Sequence, residues 1–182
     1  MFDQPTPAND NTAPSWEAML APGDIVSFRF PMSERKATGE RPKARPCLVL
    51  EVGQVGQLTL ATLAYGTTSN GKANRGRDLV VAVDEEITSA GITGPTRFVG
   101  IRRVMVPIGH SAFNLAHRDT PVLGHLSGGA FEAMQNLRAR FQAERDMAAE
   151  FRDAKRLARH ASRTLPDGRR DMLTPDLLMG DC

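Results

Sequence analysis

Arg45 stands directly before Pro46 and the apolar run Cys47-Leu48-Val49-Leu50-Glu51-Val52. Proline lacks an N–H and fixes its own φ, which suits the first residue of a strand and puts Arg45 at a loop-to-strand junction. Its guanidinium, charged at any working pH, therefore leaves a rigid base. Residues 33–43 carry Arg35, Lys36, Arg41 and Lys43 among Gly39, Pro42 and polar side chains, a composition that cannot pack a core and reads as a mobile basic loop. A fixed cation beside a cationic loop is what a phosphate-binding cleft needs. Two more strand ends carry related chemistry. One is Thr67-Thr68-Ser69, with Lys72, Arg75 and Arg77 following, and the other is Arg97. Plainer roles stand beside these: an arginine salt-bridged at a strand end, and hydroxyls that only cap turns.

Other chemistries find less support. His110, His117, His125 and His160 lack partner residues at metal-ligand spacing, so they read as surface or capping side chains, and neither a metal nor another cofactor is expected. Gly53 to Gly56 is followed by no lysine and no helix, unlike a phosphate loop. No Gly-x-Ser-x-Gly context exists, and Cys47 reads as core rather than nucleophile. Cys47 and Cys182 suggest no disulfide framework. Aromatic residues make up 5% of the chain, which disfavours base-stacking platforms and leaves charge as the route to any nucleic acid. The net charge is only +2, but residues 21–125 hold 13 basic and 9 acidic side chains, a local surplus of four. Such a surplus attracts phosphates or acidic proteins without choosing between them. The first residues are polar and proline-bearing, and no apolar run of about 18 residues occurs, so a cytoplasmic protein without a membrane span is expected.

The elements that must position these residues follow from periodicity. Residues 1–20 read as a disordered arm whose Trp16, Met19 and Leu20 dock at its end. The turn Pro22-Gly23-Asp24 opens a half-buried strand with Val26, Phe28 and Phe30 on one side and Ile25, Ser27 and Arg29 on the other. After the strand led by Arg45, Gly53 and Gly56 bracket a turn into a partner strand over 57–64 with Leu58, Leu60 and Leu63 inward. Further strands are expected over 78–83, 96–101 and 102–108, about six in all, with Asp84-Glu85-Glu86 as a solvated strand end. Many short strands with Gly and Pro turns argue for a small barrel. From Ser127-Gly128-Gly129 a helix begins, with Phe131, Met134, Leu137 and Phe141 on one face. An exposed helical extension over 143–162 and a disordered tail over 163–182 complete an α+β, mainly β chain whose central domain spans 21–142.

The order Gly23-Asp24-Ile25-Val26, a basic loop, Arg45-Pro46-Cys47-Leu48-Val49-Leu50, an apolar strand ending in Thr67-Thr68-Ser69, and then a helix resembles the PemK/MazF toxin family over residues 22–142. The resemblance implies an SH3-like barrel that forms a homodimer, cleaves single-stranded RNA at short sequences without a metal ion, and is neutralised by an antitoxin protein in the same groove. By position, Arg45 matches the family's arginine before proline, Thr67 its threonine, and Arg97 a further arginine of the PemK branch, making these three the implied catalytic residues. Arg35, Lys36, Arg41, Lys43, Thr68, Ser69, Lys72 and Arg75 are the implied RNA-binding residues. The branch's aspartate two positions after its second arginine is Val99 here, which leaves Glu34 or Glu40 to supply a base. The alternative is a non-catalytic binding protein of the same fold, including a gyrase poison like CcdB. The chain's Met179-Gly180-Asp181-Cys182 ending lacks the Trp-Gly-Ile pattern of that group.

Overall fold

The computed structural model describes residues 15–31, 42–69, 76–115 and 119–164, without the side chains of 161–164. The elements run α1 (Trp16–Met19), β1 (Asp24–Phe28), β2 (Arg45–Val55), β3 (Leu58–Thr67), β4 (Asp78–Val81), α2 (Asp84–Ser89), β5 (Thr96–Pro107), β6 (Val122–His125) and α3 (Gly128–Thr164). The six strands form one antiparallel sheet in the order β4-β5-β3-β2-β1-β6. The protein is therefore α+β with a long C-terminal helix. Among the described residues no ladder joins β4 to β6, so the hydrogen bonding defines an open sheet.

Both sides of the sheet are buried near its middle. On one side Val26, Phe28, Cys47, Val49, Leu63, Tyr65, Val99 and Val106 share a core with Leu20, Phe30, Ile108 and Phe113. Ile25, Leu48 and Ala64, which alternate with them, are buried too. On the outward side of the first strand Ile25 is fully buried, while Ser27 and Arg29 are only partly so. Trp16 packs against Phe113 with ring centroids 5.2 Å apart, and Leu20 is buried, so α1 is anchored through two apolar side chains while Met19 stays exposed.

Several boundaries differ from expectation, each for a local reason. β2 runs on through Gly53 to Val55, and the hairpin turns on Gly56 and Gln57 alone, because Gly56 supplies the positive φ of 61° that a two-residue turn needs. The inward set of β3 is Ala61, Leu63 and Tyr65. Leu58 is exposed and Leu60 only half-buried, since both lie at the projecting hairpin tip. Residues 96–107 form one strand, not two. Its register jumps between Ala64↔Arg103 and Tyr65↔Val99, leaving Gly100, Ile101 and Arg102 as a bulge. Asp84-Glu85-Glu86 opens α2 instead of ending a strand, as three carboxylates at a helix N-terminus favour. The last strand is β6, in a stretch with no strand-like alternation, and it is held by pairing to β1.

The chain divides into two compact units, one up to Arg140 and one from Phe141. Within the first, the opening of α3 is tied down by polar contacts. Ala130 N donates to Glu86 Oε1 at 2.8 Å, which satisfies an orphan helix N–H, and Arg140 Nη1 donates to the Gly76 carbonyl at 2.8 Å. Met134 and Leu137 are buried as the apolar spacing demands. Residues 141–160 of the second unit continue the helix with exposed Met147, Phe151 and Leu157. No helix among the described residues is long and apolar enough to cross a membrane.

Candidate functional site

Directly opposed residues in a sheet share a face, so register decides which side chains meet. Thr67 on β3 is the partner of Arg97 on β5. On the other flank the β2–β3 ladder ends at Cys47↔Tyr65, two residues after Arg45 and two before Thr67. Thr67 and Arg97 are thus paired, and by alternation Arg45, Thr67 and Arg97 stand at the ends of three adjacent strands on the side that holds Cys47, Tyr65 and Val99. β2 and β5 flank β3, so with strands about 4.8 Å apart their axes stand roughly 10 Å from each other. That span suits two long guanidinium side chains closing on one phosphodiester.

The three residues differ in freedom. Arg45 is exposed at the start of β2, and no described residue forms an ion pair with it. Thr67 is half-buried, and its Oγ1 accepts a hydrogen bond from Ser69 N at 3.1 Å, so the turn-capping role is realised. The hydroxyl proton is still available to donate. Arg97 is held: its Nη1 lies 3.5 Å from Asp78 Oδ2, with the two side chains 14% and 8% exposed. Thr68, Ser69 and Lys43 are exposed nearby in sequence. Arg35, Lys36, Arg41, Lys72 and Arg75, together with Glu34 and Glu40, lie outside the described residues.

Asp78 is the residue that sequence reasoning missed. It is the cross-strand partner of Val99, one row inward from Arg97 on the same face. A carboxylate therefore stands at the level of Val99 but comes from the edge strand β4. Its oxygen Oδ1 is buried without a hydrogen-bond partner. Burial raises the Asp78 pKa above its usual value of 3.8, and the Arg97 charge pulls it back only in part. Because the folded carboxyl holds its proton to higher pH than the unfolded one, its contribution to stability is complete below about 3.8 and is lost as pH rises through the folded value. Urea unfolding between about pH 4 and 7 should show that loss in the wild type and a flatter profile in Asp78→Asn. Equal slopes would place the titration elsewhere.

Arg102 was also missed. The β5 bulge aims it back over the Tyr65 ring, 4.7 Å from the centroid, which adds a second cation to the core side of β5. Two consecutive arginines within an alternating strand were the available signal, since alternation puts one of them on the core side.

Cys47 lies one residue pair inward from Arg45 and is fully buried. Desolvation pushes its thiol pKa up to about 12, against smaller opposing effects of a hydrogen bond with Gly66 and the Arg45 charge. A thiol so poorly ionised is no nucleophile. In a Cys182→Ser background the folded protein should show no thiol reacting with a disulfide reagent within minutes at pH 8, and one after unfolding. A fast-reacting thiol in the native state would contradict this packing.

Comparison with protein-family models finds none that matches this chain, and comparison with curated proteins finds none either.

Proposed function

We propose that this protein is a metal-independent endoribonuclease of the PemK/MazF-like toxin kind, cutting single-stranded RNA at short sequences and restrained by an antitoxin. The observation that supports it is that Arg45, Thr67 and Arg97 stand at the ends of three adjacent strands on one face of the sheet, with Thr67 and Arg97 paired. In this reading the sheet curls as an SH3-like barrel does, and two copies form the working homodimer.

RNA carries its own nucleophile. The 2′-OH attacks the adjacent phosphorus, the P–O5′ bond breaks, and a 2′,3′-cyclic phosphate and a 5′-OH result. The protein must neutralise the negative phosphorane and manage two protons. Arg45 contacts the non-bridging oxygens and supplies most of the charge. Thr67 donates its hydroxyl proton to a phosphate oxygen and fixes the phosphate's place between the strands. Arg97 adds the second cation, and Asp78 is a positioning residue that holds its guanidinium. Guanidinium is a weak acid, with a pKa above about 12, so the arginines act chiefly through charge. The proton of the 2′-OH goes to Glu34 or Glu40 of the loop before Arg45, and the departing O5′ takes a proton from solvent water. Lys43, Thr68 and Ser69, with Arg35, Lys36, Arg41, Lys72 and Arg75, bind flanking nucleotides.

The purified protein, incubated with a long mixed-sequence RNA in excess EDTA, should yield fragments ending in 2′,3′-cyclic phosphate, read by mass spectrometry and mapped to a short common sequence. RNA left intact by well-folded protein would replace this reading with a non-catalytic binding one.

A further inference from the structure

Residues 152–160 hold Arg152, Lys155, Arg156 and Arg159 against Asp153 alone, a local charge of +3 with His160 neutral. At about 100° per residue these four cations and His160 fall on one side of α3, around a single open recess that their side chains line. All are exposed. Helix-dipole compensation accounts for cations in the last turn only. Arg152, Lys155 and Arg156 precede the helix end at Thr164 by two turns or more, beyond that reach. The ion pair within the cluster, Arg156 Nη2 to Asp153 Oδ1 at 3.4 Å, joins side chains 71% and 65% exposed and is readily exchanged for another anion.

We propose that this basic face binds the phosphate backbone of RNA, as an auxiliary site separate from the row on the sheet. The occupant follows from what the face lacks as well as what it carries. A protein interface needs an apolar or aromatic anchor at its centre and is depleted in lysine. The exposed apolar residues here, Met147, Phe151 and Leu157, project about 90–150° away around the helix from the middle of the basic cluster. Nucleic-acid interfaces, by contrast, are polar and strongly positive. Three of the four cations are arginines, whose planar fork matches two phosphate oxygens at once. From Arg152 to Arg159 the cluster covers about 10 Å along the axis, enough to meet consecutive phosphates. The choice of RNA among polyanions rests on the function proposed above.

The test uses the full chain and a fluorescent 20-nucleotide RNA with 2′-O-methyl riboses, which cannot undergo the cleavage. Affinity is measured from about 0.05 to 0.3 M salt for the wild type, for the combined Arg152→Ala, Lys155→Ala, Arg156→Ala, Arg159→Ala variant, and for a variant with the three arginines changed to lysine. Each lost phosphate contact lowers the slope of log K against log salt by about 0.7, so the alanine variant should lose roughly 2 to 3 from its slope and bind at least tenfold more weakly. The lysine variant should stay within about threefold of wild type, which separates lost charge from lost helix. Identical slopes for wild type and alanine variant, or no binding by wild type, overturn the proposal, the latter favouring an acidic protein as occupant. Because the RNA is uncleavable, absent cleavage with this pattern intact would sink the nuclease reading alone.

Discussion

Arg45→Ala should lower RNA cleavage by about 10³-fold or more while leaving stability within about 0.5 kcal/mol of wild type. The two halves of that result have separate causes. Arg45 is exposed, ends the row at the mouth of β2 and has no ion-pair partner among the described residues, so its removal strands no buried charge. Its loss takes away the cation best placed to reach a phosphate. Arg97 makes the contrast. Truncating it leaves Asp78 buried without its counter-charge, so Arg97→Ala should cost about 2–4 kcal/mol of stability as well as activity. Arg45→Lys keeps the charge and loses the fork, and should fall between. The measurements are initial cleavage rates of a defined oligonucleotide in EDTA and urea midpoints on the same preparations. An Arg45→Ala protein that cleaves within tenfold of wild type removes Arg45 from the chemistry.

The features legible in the sequence are those set by local rules. Pro46 marks the beginning of β2 because a proline cannot sit deeper in a ladder, and the aliphatic run after it is buried as read. The start of α3 and its buried Met134 and Leu137 follow from Gly128-Gly129 and helical spacing. What escaped depends on pairing between distant strands. Nothing near Asp78 in sequence indicates that it will stand opposite Val99, because that meeting is set by the β4–β5 register. The division of residues 96–107 into two strands failed for the same reason. A bulge is an agreement between β5 and β3, and the Arg102-Arg103 pair alone shows only one side of it. β6 lacks a pattern of its own and exists through β1. The row of site residues lies between these extremes: each strand end was readable, but their alignment across β2, β3 and β5 is a property of register.

The junction of β2 and β3 has a keystone in Gly66, and Gly66→Ala should be a severely damaging single-methyl change there. A Cβ at this position would overlap the Pro46 carbonyl oxygen and stand 3.0 Å from Phe98 Cε1. The phenylalanine ring has room to give by rotation, but the carbonyl belongs to the backbone that carries Arg45. Relief requires β2 and β3 to separate at the level where Arg45 meets Thr67. The expected cost is about 2–4 kcal/mol. Activity should fall further than stability explains, by about 100-fold under conditions where the variant is fully folded, because a displacement near 1 Å between catalytic groups has that effect. Gly53→Ala is the control: it sits in the same β2–β3 ladder, and an added Cβ there meets nothing within 4 Å. Its stability and cleavage rate should stay near wild type. If Gly66→Ala behaves like Gly53→Ala in both assays, the strands are not held at the contact distance that brings Arg45 alongside Thr67, and the row loses its physical basis.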